Sequence, residues 1–368
     1  MGSVEKRTRD GKVTYLARWR DDARRQRKRS FTRKADADRF LAQVEADIVR
    51  GQYVDPSDKT TVVEYARRWA AGRAHRPTTA RRVSSLIETH IAATPLGSRR
   101  LAAVVPSEVQ AWAADRGKVL SPSTLRNLVG LLRSVYAAAV LDRLVGRSPV
   151  VRVSLPSAHR ERVVPLTVDQ VRALADAIPA RNRAMVLTQA GLGLRLGELL
   201  ALRVQDVDFA ARLVRIEWQF APQSKVRTVP KTPRSRRIVP LPQVVADALR
   251  AHMAQFPPAD DGTLFTTRFV GPYRHDYYGT IIFGAAVRKA GLPESITTHD
   301  LRHHYASVLL MQGESVITVA ERLGHENATL VLSTYGHLMP DSEERTRRAV
   351  DEAWGCAPGV PQGEAPTL

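Results

Sequence analysis

Three stretches of the chain carry three different rhythms of apolar and polar residues. The first opens on SVEKRTR and KVTYLARWR, separated by Asp10-Gly11, a dipeptide that favours a tight hairpin turn. A second turn near Asp21-Asp22 leads into RQRKRSF, so three short strands are predicted. Thr32 is placed to cap a following helix, KADADRFLAQVEADIVR, that ends at Gly51. On it Phe40, Leu41, Val44, Ile48 and Val49 recur at helical spacing and can cover one face of the sheet, leaving Arg and Lys to the other. Residues 52–60, with Asp55-Pro56-Ser57, read as a linker. The second stretch, 61–145, repeats apolar residues at three and four over 61–71, 78–91, 106–115 and 122–144, which predicts a bundle of helices. Pro149, Pro156 and Pro165 mark residues 146–165 as a second linker.

From Leu166 the rhythm becomes mixed. LTVDQVRALADAI starts a helix, with Thr167 as cap and Gln170 three residues on. In RAMVLTQAGLGLRLGELL, Gly191 and Gly193 break one helix and Arg195 opens the next, sharing a face with Glu198. RLVRIEW has strand character, and KVRTVPKTPRSRRIVPLP predicts a hairpin with Lys231 in its turn. A helix through THDLRHHYASVLL carries His299 and Arg302 three residues apart, and Gly313 interrupts it. The next helix, VITVAERL, ends at Gly324 with His325 beyond, and Tyr335 follows ten positions later. The predicted fold is multidomain. A small α+β domain spans 1–51, an all-α bundle 61–145, and a mainly α domain with a small antiparallel sheet 166–354, followed by a disordered tail at 355–368.

Composition narrows the partners. Hydrophobic residues make up 43% of 368, enough to build cores and to exclude global disorder. The single cysteine, Cys356, excludes an internal disulfide framework and a cysteine zinc site, and fits a reducing compartment. No apolar run is long enough to span a bilayer and the N-terminus has no signal-peptide core, so a cytoplasmic protein without membrane partners is expected. Lys and Arg exceed Asp and Glu by 56 to 37, a net charge of +19, which points to a polyanion and first to nucleic acid. Most of the bases are arginine, whose planar fork suits phosphate oxygens. Arg24, Arg25, Arg27, Lys28 and Arg29 form an acid-free run on the small sheet and are candidate DNA contacts in a major groove; a merely solvated face is the alternative. Neither GxxxxGK[ST] nor GxGxxG occurs, so no nucleotide site is expected.

The third stretch holds two candidate arginines, several histidines, a lysine and a tyrosine without a carboxylate cluster. Two guanidiniums can hold the non-bridging oxygens of a phosphodiester and stabilise a five-coordinate transition state. A tyrosine hydroxyl can attack phosphorus and retain the strand end covalently. Its pKa of roughly 10 calls for proton removal or strong stabilisation in the transition state; histidine can take the proton, and lysine or histidine can protonate the departing sugar oxygen. Arginines then do the charge work of a metal, and the retained bond energy removes the need for ATP. Tyr305, Tyr277 and Tyr278 are alternative tyrosines with structural or DNA-facing roles; Lys225 is the alternative lysine. His303 and His304 are alternatives to His299, and His337 follows Tyr335 in the turn. A zinc site from His299, His303, His325 and His337 would leave both arginines without a task.

Taken in order, AGLGLRLGELLALRVQDVD, PKTPRSRRIVPLP, THDLRHHYAS and RLGHENATLVLSTYGH resemble the motifs of the tyrosine recombinases, or phage integrases, over about Leu166 to Trp354. The resemblance implies that Arg195 and Arg302 clamp the scissile phosphate and that Lys231, the hairpin lysine, is general acid on the leaving 5′-hydroxyl. It implies that His299, in the HxxR register, assists proton transfer at the tyrosine, and that His325 supports the phosphate. Tyr335 would form a 3′-phosphotyrosine, with Glu198 orienting the site. It further implies a site-specific recombinase without cofactor, acting on double-stranded DNA at core and arm attachment sites. Residues 61–145 would be the core-binding domain and 1–51 the arm-binding domain. Four protomers would exchange strands through a Holliday junction, with an excisionase or a DNA-bending host factor as further partners, on the bacterial nucleoid. A helix over 341–354 would dock on a neighbouring protomer. A type IB topoisomerase and a non-catalytic regulator on the same scaffold are the other readings; the N-terminal segments and the complete residue set weigh against them.

Overall fold

The computed structural model describes the chain except residues 1, 10–11, 22–23, 51–52, 56–57, 158–162, 223, 225, 231, 339–345, 348–349, 352 and 355–368. The expected turn at Asp10-Gly11, the helix stop at Gly51, Cys356, the tail and most of the helix expected over 341–354 therefore lie outside the described residues. Two compact units divide at 160/161.

The first unit begins with an antiparallel sheet of β1 (Ser3–Arg9), β2 (Lys12–Arg20) and β3 (Gln26–Phe31), in that order. Helix α1 (Lys34–Val49) lies on one face, where Trp19 and Val44 are buried with Tyr53. Trp19 Nε1 donates to the Tyr53 hydroxyl at 2.9 Å, and Phe40 meets the Trp19 ring edge-on. Two expectations change here. The cap position is Arg33, without a side-chain bond, rather than Thr32. Val49 is 87% exposed, because it falls one residue past the Phe40, Val44 and Ile48 stripe that packs on Trp19.

The basic run also divides differently from a single DNA-facing set. Side chains alternate across a strand, so consecutive bases cannot share a face. Arg27 pairs with Trp19 in register and Arg29 with Ala17, which puts both on the helix side. Arg29 lies over the rings of Phe31 and Phe40, and Arg27 is held by Asp21 and Asp55. Lys28 takes the outer face beside Arg18, while Arg24 and Arg25 sit in the preceding turn, where Arg25 bonds Asp21 at 2.9 Å.

Four helices and a single turn follow. Helix α2 (Val62–Ala71) starts from a capping box in which Glu64 and Thr61 bond each other's backbone. Helix α3 (Pro77–Ile87) widens into a π turn over Glu88–Ala92 and is succeeded by the single turn α4 (Pro95–Ser98), then α5 (Pro106–Gly117) and α6 (Pro122–Leu141). Their apolar stripes bury Tyr65, Ile87, Trp112, Leu128, Leu132 and Tyr136 in a core separate from that of the sheet. Helix α6 stops before the expected 144: Asp142 accepts the Tyr65 hydroxyl at 2.6 Å and Arg143 turns to φ 56°.

The second unit is mainly helical. Helices α7 (Val168–Ala177), α8 (Ala180–Leu192), α9 (Leu196–Leu200) and α10 (Gln243–Gln255) flank small sheets, and α11 (Gly284–Lys289), α12 (Thr298–Met311), α13 (Val316–Leu323) and α14 (Thr329–Tyr335) complete it. The long α8 packs against α7, α10 and α12 and is buried along most of its length. One sheet orders β4 (Val207–Asp208), β5 (Leu213–Ile216) and β8 (Arg237–Pro240); a second pairs β6 (Gln219–Phe220) with β7 (Arg227–Thr228). The hairpin expected within 225–242 is thus not one: β7 and β8 each return to an earlier strand instead of pairing with each other. Gly191 does not break α8 either. It stays helical, and a Cβ there would sit 2.3 Å from Val245 of α10, so the glycine serves helix contact. No helix among the described residues is long and apolar enough to cross a membrane.

Candidate active site

Two left-handed glycines set the site. Helix α8 ends at Gly193 (φ 63°) and α13 at Gly324 (φ 66°), a backbone region that only glycine enters without strain. Each turn frees carbonyl oxygens at the negative end of a helix, which suits a cation. Arg302 on α12, 1% exposed, uses them: Nη1 donates to Gly193 O (2.8 Å) and Nη2 to Leu323 O (2.6 Å). Arg195, just past the first glycine, donates from Nη2 to Gly324 O at 3.1 Å. The two arginines, distant in sequence, are thus pinned to neighbouring helix ends.

A Cβ at Gly193 would lie 2.3 Å from the Tyr305 ring, while at Gly291, also left-handed at φ 67°, it would meet nothing within 4 Å. Gly193→Ala is expected to lower stability by the backbone cost of about 1–3 kcal/mol plus the clash, and Gly291→Ala by the backbone cost alone. Thermal melts of the two variants check this; equal melting temperatures would show that Tyr305 simply moves aside.

Glu198, 1% exposed, sits between three guanidiniums. Its Oε1 accepts Arg195 Nη1 (2.8 Å), its Oε2 the Arg195 backbone N–H (2.9 Å), and Arg237 meets both oxygens at 3.2 and 2.8 Å. Burial pushes this carboxyl up, but the charges of Arg237, Arg195 and Arg302 win and hold it down at about 2. Arg302 is in turn pushed below the usual arginine range by burial and by Arg195, with Glu198 opposing. Arg237, whose Nε donates to Arg322 O at 2.6 Å, is the member that sequence reasoning missed. Its signal was strand parity: Ser235, Arg237 and Val239 alternate inward along the approach to β8.

The histidines separate by place. His325 Nε2 accepts from Arg302 Nη2 at 2.9 Å, which leaves the ring proton on Nδ1, a buried atom with no partner among the described residues. Burial and the Arg302 and Arg195 charges push His325 down to about 4, so the ring is neutral near pH 7. His304 and His337 are drawn off to backbone carbonyls, His304 Nδ1 to Leu166 O (2.7 Å) and His337 Nε2 to Val163 O (3.1 Å). His303 Nδ1 stands 2.6 Å from the hydroxyl of Tyr335, which is 3% exposed. His299, with one side open to solvent, meets His303 edge to face at 4.7 Å between ring centres. Burial drives Tyr335 up to about 12, with the Arg302 charge pulling the other way. The structure therefore brings Arg195, Glu198, Arg302, His325, His299 and Tyr335 into one unit and adds His303 and Arg237.

Lys231, and its alternative Lys225, lie outside the described residues. The segment just after Lys231 does reach the site: Arg234 Nη1 donates to Glu326 O, and a Cβ on Gly324 would come within 3.1 Å of Arg234 O. Among the described residues no three His, Cys, Asp or Glu side chains are grouped to hold a metal ion.

Residues 165–341 match the model of the phage integrase family. The chain is 28% identical over 316 residues, 83% of each chain, to a putative prophage phiRv2 integrase of Mycobacterium tuberculosis. It is 29% identical over 241 residues to the tyrosine recombinase XerD of Corynebacterium glutamicum, covering 62% of this chain and 74% of that one. Its fold is similar to that of the Tn1549 transposon integrase solved in complex with a circular intermediate DNA, with a TM-score of 0.69 and 24% identity over 80% of this chain and 99% of the other.

Proposed function

We infer that the chain is a site-specific DNA recombinase of a phage or mobile element, in the phage integrase family of tyrosine recombinases, and propose how its own residues divide the work. The observation that carries the reading is the meeting of two bonded arginines at one helix end, Arg195 held by Glu198 and Gly324 O and Arg302 by Leu323 O and His325, with Tyr335 close enough to feel the Arg302 charge. Arg195 and Arg302 hold the non-bridging oxygens of one phosphodiester, and His325 supports that phosphate through Arg302, whose Nη2 it accepts at Nε2. Tyr335 attacks phosphorus, a histidine of α12 takes its proton, and the 5′-oxygen departs with a proton from Lys231. The 3′-phosphotyrosine keeps the bond energy, so attack by a second strand's 5′-hydroxyl reverses the step on a new partner. Glu198 and Arg237 fix the pose of Arg195 and do not react.

Residues 61–145 bind core DNA, residues 1–51 read arm sites, and 52–60 and 146–165 are the linkers. Lys28, Arg24 and Arg25 are the members of the basic run left to meet phosphate, because Arg27 and Arg29 face α1. Exchange of four strands calls for a homotetramer on two DNA sites, with an excisionase or DNA-bending host factor setting direction, on the bacterial nucleoid. The charges that act on the reacting phosphate are arginines, so neither metal nor ATP enters a step. Duplexes selected by the full-length protein from a randomised pool, then nicked beside the cleavage position, should give a protein–DNA adduct on a denaturing gel in EDTA. An adduct that forms only with added Mg²⁺ would overturn the arginine reading.

A further inference from the structure

We propose that His303, rather than His299, is the base that takes the proton of Tyr335 as it attacks. The proposal rests on Tyr335 being the nucleophile. His303 Nδ1 and the Tyr335 hydroxyl are 2.6 Å apart, inside the range for direct proton transfer, and their ring centres are 5.5 Å apart. With its own proton on Nε2, neutral His303 accepts the hydroxyl hydrogen through Nδ1. His299 lies one helical turn earlier on the same face and packs edge-on against His303, so it steadies the base from the side.

The other titratable groups around the pair are committed elsewhere. Asp300 Oδ2 accepts the Thr297 backbone N–H and hydroxyl, both at 2.8 Å, as the cap of α12. Arg302 is bound to the carbonyls of Gly193 and Leu323 and to His325. His304 and His337 donate to Leu166 O and Val163 O. These charges also fit the transfer. Arg302 stabilises a developing phenolate, and Asp300 a developing imidazolium. Burial pushes His303 below and Tyr335 above their ordinary values, so no phenolate exists at rest and the proton moves as the Oη–P bond forms. In cleavage the Oη–H proton passes to His303 Nδ1, Oη bonds phosphorus, the P–O5′ bond breaks and the 5′-oxygen takes its proton from a separate acid. Religation returns the Nδ1 proton to the tyrosine.

The test measures single-turnover cleavage by the full-length protein on nicked duplexes with either an oxygen or a sulfur at the 5′ bridging position. Sulfur leaves without a proton, so it rescues a lost acid but not a lost base. His303→Gln, whose amide oxygen can accept the hydroxyl hydrogen but cannot carry the proton away, should cleave on the order of 100-fold more slowly with both leaving groups. Its rate should keep rising with pH where the parent has levelled off, and DNA affinity should not change. Added imidazole should restore part of the rate of His303→Ala. His299→Gln should lose less. A His303→Gln rate within about 3-fold of the parent, or rescue by sulfur, overturns the proposal. So does a loss confined to His299→Gln. An adduct formed by Tyr335→Phe would instead overturn the nucleophile assignment.

Discussion

Tyr335→Phe is expected to bind duplex DNA as the parent does and to form no covalent adduct with it. The change removes one oxygen from a side chain that is 3% exposed and leaves the ring to fill the same space between α12 and α14. What the fold loses is one hydrogen bond, from the hydroxyl to His303, a matter of about 1 kcal/mol. What the proposed reaction loses is the atom through which this tyrosine would join phosphorus. The effect on cleavage is therefore all or none, while that on affinity is near zero, since the arginines and the remaining basic surface stay in place. The assay is a nicked duplex trapped on a denaturing gel, run beside a filter-binding titration at fixed salt. A trapped adduct with the variant would move the nucleophile to another residue.

The fold was legible where a local signal decides it. Thr167 with Gln170 caps its helix as the spacing foretells, because a capping box needs only four neighbouring residues. The Gly324 stop of α13 was likewise readable. Where partners lie far apart in sequence, the reading failed. KVRTVPKTPRSRRIVPLP looks like a hairpin by itself, yet β8 pairs with β5, a choice made by burial of Val214 and Val239 and not by the turn. Gly191 looks like a helix breaker until Val245 occupies the space of its side chain. The candidate site shows the same division. Arg195, Arg302, His325 and Tyr335 stood out by motif. Arg237 did not, because its role depends on Glu198, 39 residues away in sequence. The choice between His299 and His303 turns on which nitrogen faces Tyr335, and a register of three or four residues on one helix cannot decide that.

Arg302→Ala and Arg195→Ala should both lower cleavage by about 100–1,000-fold, the usual loss when one donor to a developing anion is removed. They should differ in stability. Arg302 is 1% exposed and satisfies Gly193 O, Leu323 O and His325 Nε2; alanine leaves these buried acceptors unpaired, at about 1–3 kcal/mol for each that water cannot reach. Arg195 has a side chain 36% exposed, and without it Glu198 still holds Arg237 through both oxygens, so the buried carboxylate keeps a counter-charge. The Arg302 variant should therefore melt well below the parent and the Arg195 variant close to it. Arg302→Lys restores the charge but not the planar fork that reaches Gly193 O, Leu323 O and His325 together, so it should recover part of the stability and little of the rate. Thermal melts and single-turnover cleavage on one nicked duplex separate the two effects. If both alanine variants melt alike, Arg302 is not what ties the ends of α8 and α13 together. If Arg302→Lys cleaves at the parental rate, charge alone suffices at that phosphate and the fork geometry is not needed.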